Sequence, residues 1–113
     1  MSTTQIISTA LNSVTRHDDE RQCCLAWDKY LSEHLIFPFD AIIENMEDSE
    51  VFSDGDLVSV KKIDGYADMY GLIVEVRKGR KKYFTELCLL KVLDKKSSNH
   101  KYVEAYKEWF DNR

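Results

Sequence analysis

The chain is short of the residues that break, hinge or staple a fold. It has one proline and four glycines in 113 residues. Nothing in it reads as a flexible linker or a second domain. It has three cysteines and no Cys-x-x-Cys spacing, and Cys23 and Cys24 are adjacent. That argues against a disulfide framework, and the thiols are read as reduced and mostly buried. A zinc site would need Cys23, Cys24 and Cys88 to converge with His17, His34 or His100, and no ligand spacing supports this. No apolar run approaches the length of a membrane span. The first residues have neither a basic start nor a long apolar stretch, so they make a poor signal peptide and the expected location is cytoplasmic. Also missing are a nucleophile–base signature, a phosphate-cradling glycine loop and an HExxH helix, so the chain is not expected to be an enzyme.

The most informative shortage is of positive charge. Between Tyr30 and Val60 there is no Lys or Arg, but there are eight acids. The net charge of −4 hides this. Residues 1–60 hold twelve acids and three bases, a net of −9; residues 61–113 hold eight acids and thirteen bases, a net of +5. Carboxylates at that density repel one another unless water and salt, the basic half of the fold or a bound cation offsets them.

What is present is enough to fold: 43% of residues are hydrophobic and 12% aromatic. Residues 1–17 read as an N-terminal extension, either a short helix or disordered, ahead of a single domain over 18–113. Residues 18–35 predict a helix, with acids at its start and Cys24, Trp27, Leu31 and Leu35 in one stripe. Pro38 ends it. Strands are expected over 39–45 and 56–63, separated by an acidic loop over 46–56. A glycine-bounded loop follows over 64–71. A hairpin spans 72–87 with its turn at Lys78-Gly79-Arg80, and a last strand or 3₁₀ segment covers 88–93. A helix capped by Ser97, Ser98 or Asn99 closes the chain. The fold expected is α+β: a small SH3-like barrel or rolled antiparallel sheet with flanking N- and C-terminal helices.

The acidic stretch "DSEVFSDGD" (48–56) invites comparison with a calcium loop. An EF-hand needs oxygen ligands at positions 1, 3 and 5, glycine at 6 and Glu at 12. Counted from Asp48, position 6 is Ser53. Counted from Glu50, Gly55 falls at 6, but Phe52 falls at 3 and Lys61 at 12. The pattern is absent. Calcium nevertheless accepts six to eight oxygens in flexible geometry, so carboxylates from separate segments can serve. Asp40 and Glu44 lie four residues apart on one strand, about 13 Å at strand rise, too far to share an ion unless the strand bends. Asp54 and Asp56 flank Gly55 and can converge; Asp64 and Asp68 bracket a tight loop. The plain alternative is that these acids form turns and protect strand edges.

From about Trp27 to Arg113 the chain resembles the CcbP-type family of small acidic calcium-binding proteins without EF-hands. The pieces that carry the resemblance are "FPFDA" (37–41), "DGDLVSV" (54–60), "DGYADMYG" (64–71), "LIVEVRKGRKKYFTELCLLKVLD" (72–94) and "EWFDNR" (108–113). They occur in order over about three quarters of the chain. The resemblance implies a small sheet or barrel with flanking helices, reversible calcium binding and no catalysis. It implies ligand roles for Asp40, Asp56, Asp64 and Asp68, and gives none to Asp18, Asp19 or Glu20. With Asp54 from the "DGD" reading, the candidate metal ligands are Asp40, Asp54, Asp56, Asp64 and Asp68, with calcium as partner in a buffer or sensor role.

Other readings carry less. "RKGRKK" (77–82) puts five bases in six residues, with Tyr83 and Phe84 beside them, and can hold phosphates. On an acidic chain it is better read as a solvated tip that complements the acidic half. Tyr66, Tyr70 and Tyr83 can line a peptide groove, but their spacing favours core packing. No nucleic acid and no membrane is expected as partner. The alternative to calcium is an SH3-like interaction module that uses its acidic face on an unidentified protein partner, without metal.

Overall fold

Helix α1, Thr3–Ala10, begins with a reciprocal cap, and its apolar residues tie it to the rest of the molecule. The Gln5 N–H donates to Ser2 Oγ (3.2 Å) while the Ser2 N–H donates to Gln5 Oε1 (2.8 Å), which satisfies two otherwise orphaned donors. Ile6, Ala10, Leu11 and Val14 are buried in the same core as the later elements. Helix α2, Glu20–His34, is capped by the Asp19 carboxylate, which accepts from the Gln22 N–H (3.2 Å). Its stripe buries Cys23, Cys24, Trp27 and Leu31 completely. The computed structural model describes residues 1–44, 46 and 49–113. Asn45, the expected end of the first strand, and Glu47 and Asp48 of the acidic loop lie outside the described residues.

Five antiparallel strands follow: β1 Phe39–Ile43, β2 Leu57–Ala67, β3 Gly71–Lys78, β4 Lys81–Glu86 and β5 Leu90–Val92. A 3₁₀ turn, Leu87–Leu89, separates the last two, and helix α3, Ser98–Asn112, ends the chain. The sheet order is β4-β3-β2-β1-β5. β4 and β5 therefore occupy opposite edges, and among the described residues they do not pair. The expected closure into a barrel is not formed; the sheet is open.

Two departures from the expected boundaries have local causes. β2 runs on to Ala67, through the stretch expected to be a loop, and Asp64 sits in a strand. Its pairing with β3 slips between Val60 and Lys62 and again between Ile63 and Tyr66. Gly65, at φ +79°, absorbs the second irregularity, so "IDGYA" stays in the sheet while bending it. The β2–β3 turn is thereby reduced to Asp68-Met69-Tyr70. The β3–β4 hairpin turns on Gly79-Arg80, inside the expected "KGR", with Lys78 opposite Lys81.

Strand alternation puts Ala41, Ile43, Val58, Val60, Leu72, Val74 and Val76 on the buried face, under α2 and α3. Each of the valine, leucine and isoleucine side chains contributes about 1.5–3 kcal/mol on leaving water. Trp27 lies edge-on to Tyr106 of α3, with ring centroids 5.5 Å apart. A second tie joins the ends of the sheet layer. The buried Asn99 carboxamide accepts from the Ile36 N–H and donates to the Ile36 carbonyl, both at 2.9 Å. It fixes the chain just before β1 to the first turn of α3.

Candidate metal centre

β1 carries the first candidate ligand. Asp40 is its second residue and faces away from the core. Its carbonyl accepts from the Leu93 N–H (3.0 Å), just past β5, which brings Asp94 to the same place. Asp40 and Asp94 line one cleft of about 350 Å³ with Pro38, Leu93, Ser97 and Asn99. Among the described residues, no Lys or Arg pairs with either carboxylate. Asp94 Oδ1 accepts from the Lys96 N–H (3.0 Å).

The far end of β1 carries a second pair. Glu44 and Asp54 line a crevice of about 260 Å³ with Ile42, Ile43 and Gly55. Backbone bonds from the Gly55 N–H to Ile43 O (2.7 Å) and from the Ile43 N–H to Asp56 O (3.0 Å) close the loop onto the strand. Glu44 already has Lys107 Nζ 3.5 Å from its carboxylate, and Asp54 accepts from the Met46 N–H at 2.6 Å.

Asp56 has a different environment. Its Oδ2 is 2.8 Å from Lys78 Nζ and accepts from the Ser53 N–H at 2.8 Å. The hydrogen bond from Lys78, then that from Ser53, hold its carboxyl below the ordinary Asp value. Lys78 also donates to the Val51 carbonyl (2.7 Å) and lies 5.9 Å from the Phe52 ring centroid. The basic hairpin thus supplies the counter-charge to the acidic loop from within the chain. Asp64 and Asp68 lie apart from both pairs, exposed in the bent part of β2 and in the β2–β3 turn. Beside Asp68, the Met69 carbonyl accepts from Arg113 Nη2 (3.1 Å), and Arg113 Nη1 is 3.5 Å from Glu20 Oε1.

The five acids singled out in the sequence are therefore not gathered at one point. Asp40 and Asp54 each gain a carboxylate neighbour, Asp94 and Glu44, that the sequence reading left out of the ligand set. Asp94 is 54 residues beyond Asp40 and comes close only through β1–β5 pairing, which spacing along the chain does not reveal. Among the described residues, no three His, Cys, Asp or Glu side chains group as a metal cage. Thiol ligation fares worse than carboxylate. Burial is the main cause that raises Cys23, Cys24 and Cys88, Cys24 to about 12 and Cys88 to about 11, so all three are held as thiols.

This donor chemistry, hard oxygens in open clefts with room for water, fits calcium. The chain belongs to the CcbP family, whose model, described as calcium binding, matches residues 6–110. Calcium is thus its ligand, and the family is one of binding proteins rather than enzymes. Among solved structures, Anabaena CcbP is similar at 18% identity with a TM-score of 0.74, covering 95% of this chain and 87% of that one. A calcium-binding protein in its calcium-binding form is similar at 19% identity with a TM-score of 0.65, over 97% and 90% of the two chains. At these identities the likeness establishes the α+β fold. No curated protein matches the chain significantly. No helix among the described residues is long and apolar enough to cross a membrane.

Proposed function

We propose that this protein binds calcium reversibly through surface carboxylates, and that Asp40 and Asp94 hold the ion. One observation carries the assignment: both acids open on the same cleft, and neither is neutralised by a Lys or Arg among the described residues. Two carboxylates give up to four oxygens; the Ser97 hydroxyl and water would complete the six to eight that calcium accepts. The α3 N-terminus, capped by Ser97, opposes a cation there by about 0.3–1 kcal/mol, and we read the affinity as moderate on that account. Binding relieves the repulsion between Asp40 and Asp94, which no Lys or Arg among the described residues offsets. The role is that of a cytoplasmic, non-EF-hand buffer, or of a sensor if the effect of the ion spreads beyond the cleft. In topology we read the open sheet, bent within β2, as an SH3-like arrangement left unclosed.

The Glu44–Asp54 crevice supports a second reading, because it adjoins the densest run of acids in the chain. Titration of metal-free protein with calcium and then magnesium, at about 0.15 M salt, separates the two. The first reading expects Asp40→Asn and Asp94→Asn each to weaken calcium about tenfold or more, with Asp54→Asn changing it less than about twofold. The reverse ranking moves the site to the crevice. Equal response of the wild-type chain to both ions would sink the calcium assignment, because magnesium demands tighter, octahedral geometry.

A further inference from the structure

We propose that the β4 edge, Lys81–Glu86, is a docking strand for an extended acidic peptide that carries one apolar or aromatic side chain. β4 pairs only with β3, so its outer N–H and C=O groups have no backbone partner among the described residues. The opposite edge differs: β5 has three residues and packs against α3. Beside the β4 edge lies a trough of about 480 Å³ whose apolar wall includes Phe52, Tyr70, Ile73 and Phe84 and whose polar part includes Ser49 and Glu86. Tyr70 and Phe84 are 57% and 49% exposed there. Strand addition works through these two parts, main-chain bonds for affinity and a side-chain pocket for selectivity.

Charge selects the partner. Of the five bases at the hairpin tip, Lys78 pairs with Asp56 (2.8 Å) and Lys82 faces Glu75 (4.0 Å). Arg77, Arg80 and Lys81 have no acidic partner among the described residues. Lysines on an edge usually block pairing. Here they stand at the tip, and Tyr83, Phe84 and Thr85 leave the middle of the strand uncharged. Phe84 and Lys81 are three residues apart, about 10 Å along the strand. A fitting peptide therefore carries its acids two to three residues from its apolar anchor, on the tip side. It carries none on the other side, where Glu86 lines the trough. A nucleic acid suits this edge less well, because it carries phosphates along its whole length and Glu86 would repel those that lie beyond the tip.

The test uses a fluorescently labelled synthetic peptide of about nine residues, Thr and Val with one central Phe and two Asp on one side. Its reversed sequence, a version with Lys for Asp, and an oligothymidine complete the set. Anisotropy at about 0.15 M salt is expected to show saturable binding of one Asp peptide below about 1 mM. Phe84→Asp and the pair Arg80→Glu with Lys81→Glu are each expected to weaken it about tenfold, while Lys91→Glu on the far edge leaves it unchanged. Phe84→Thr, which keeps strand propensity, guards against misfolding, and thermal midpoints are compared throughout. Hydrogen exchange is expected to slow at β4 amides and not at β5. The proposal fails if no Asp peptide saturates, if Phe84→Thr and Phe84→Asp both bind normally, if β4 gains no protection, or if oligothymidine binds more tightly.

Discussion

At Gly71 two constraints coincide. The backbone there has φ +74°, which strains any residue with a Cβ, and that Cβ would collide with Tyr106 Oη and the Phe110 ring. The close approach has a purpose: Tyr106 Oη accepts from the buried Leu72 N–H at 2.9 Å and seats α3 on the start of β3. Gly71→Ala is expected to destabilise the protein by about 2–4 kcal/mol, combining backbone strain with overpacking. Urea denaturation measures this, and a loss below about 0.5 kcal/mol would mean that α3 yields easily. Tyr106 itself is buried, which pushes its phenol well above the ordinary tyrosine value and keeps it neutral as a hydrogen-bonding group.

Among elements, the acidic loop meets the β3–β4 hairpin through one cation, Lys78, and through Phe52, which packs edge-on against Tyr83 at 5.5 Å. Lys78 bonds to Val51 O and Asp56, and Asp56 to the Ser53 N–H. Because the Asp56 carboxyl is held below its ordinary value of about 3.8, its contribution is fully present above that pH. It is lost as pH falls through the lowered value. Lys78→Gln is therefore expected to lower the thermal midpoint slightly at neutral pH, with the deficit shrinking below about pH 4. A deficit independent of pH would assign Lys78 to packing on Phe52 instead. The complementarity of acidic loop and basic hairpin was legible from charge counts alone. So were α2, from its stripe and acidic start, and the hairpin, from Gly79 between strand-like runs. The reach of β2 to Ala67 was not, because "DG" ordinarily marks a turn and only pairing with β3 keeps Asp64-Gly65 in the sheet. The open edge was equally hidden, since short strands with tight turns read alike whether or not the last meets the first. Asp40 stood out because a recognisable segment surrounds it; Asp94 and Glu44 acquire meaning only from their neighbours across the sheet.

For the molecule as a whole, the division into an acidic first half and a basic second half means that folding itself neutralises charge, and calcium adds to this. An ion that binds the folded state alone stabilises it by mass action, about 2.7 kcal/mol at a concentration one hundred times its dissociation constant. In a chain of this size that is a rise in melting temperature on the order of 10 °C. Calorimetry with calcium is expected to show it, and magnesium at the same concentration to give much less. A rise of equal size with either ion would point to diffuse screening. The clamp of Asn99 on Ile36 also bears on how the molecule comes to exist. A chain is made from its N-terminus, and 63 residues separate the two ends of that clamp. While the ribosome still holds residues 90–112, β1 has β2 on one side and nothing on the other, and the polar groups of Ile36 have only water. Asp94, Ser97 and Asn99 are made together, more than fifty residues after Asp40. The Asp40 cleft therefore cannot exist until β5 and the first turn of α3 have been made and have met β1 and the segment before it.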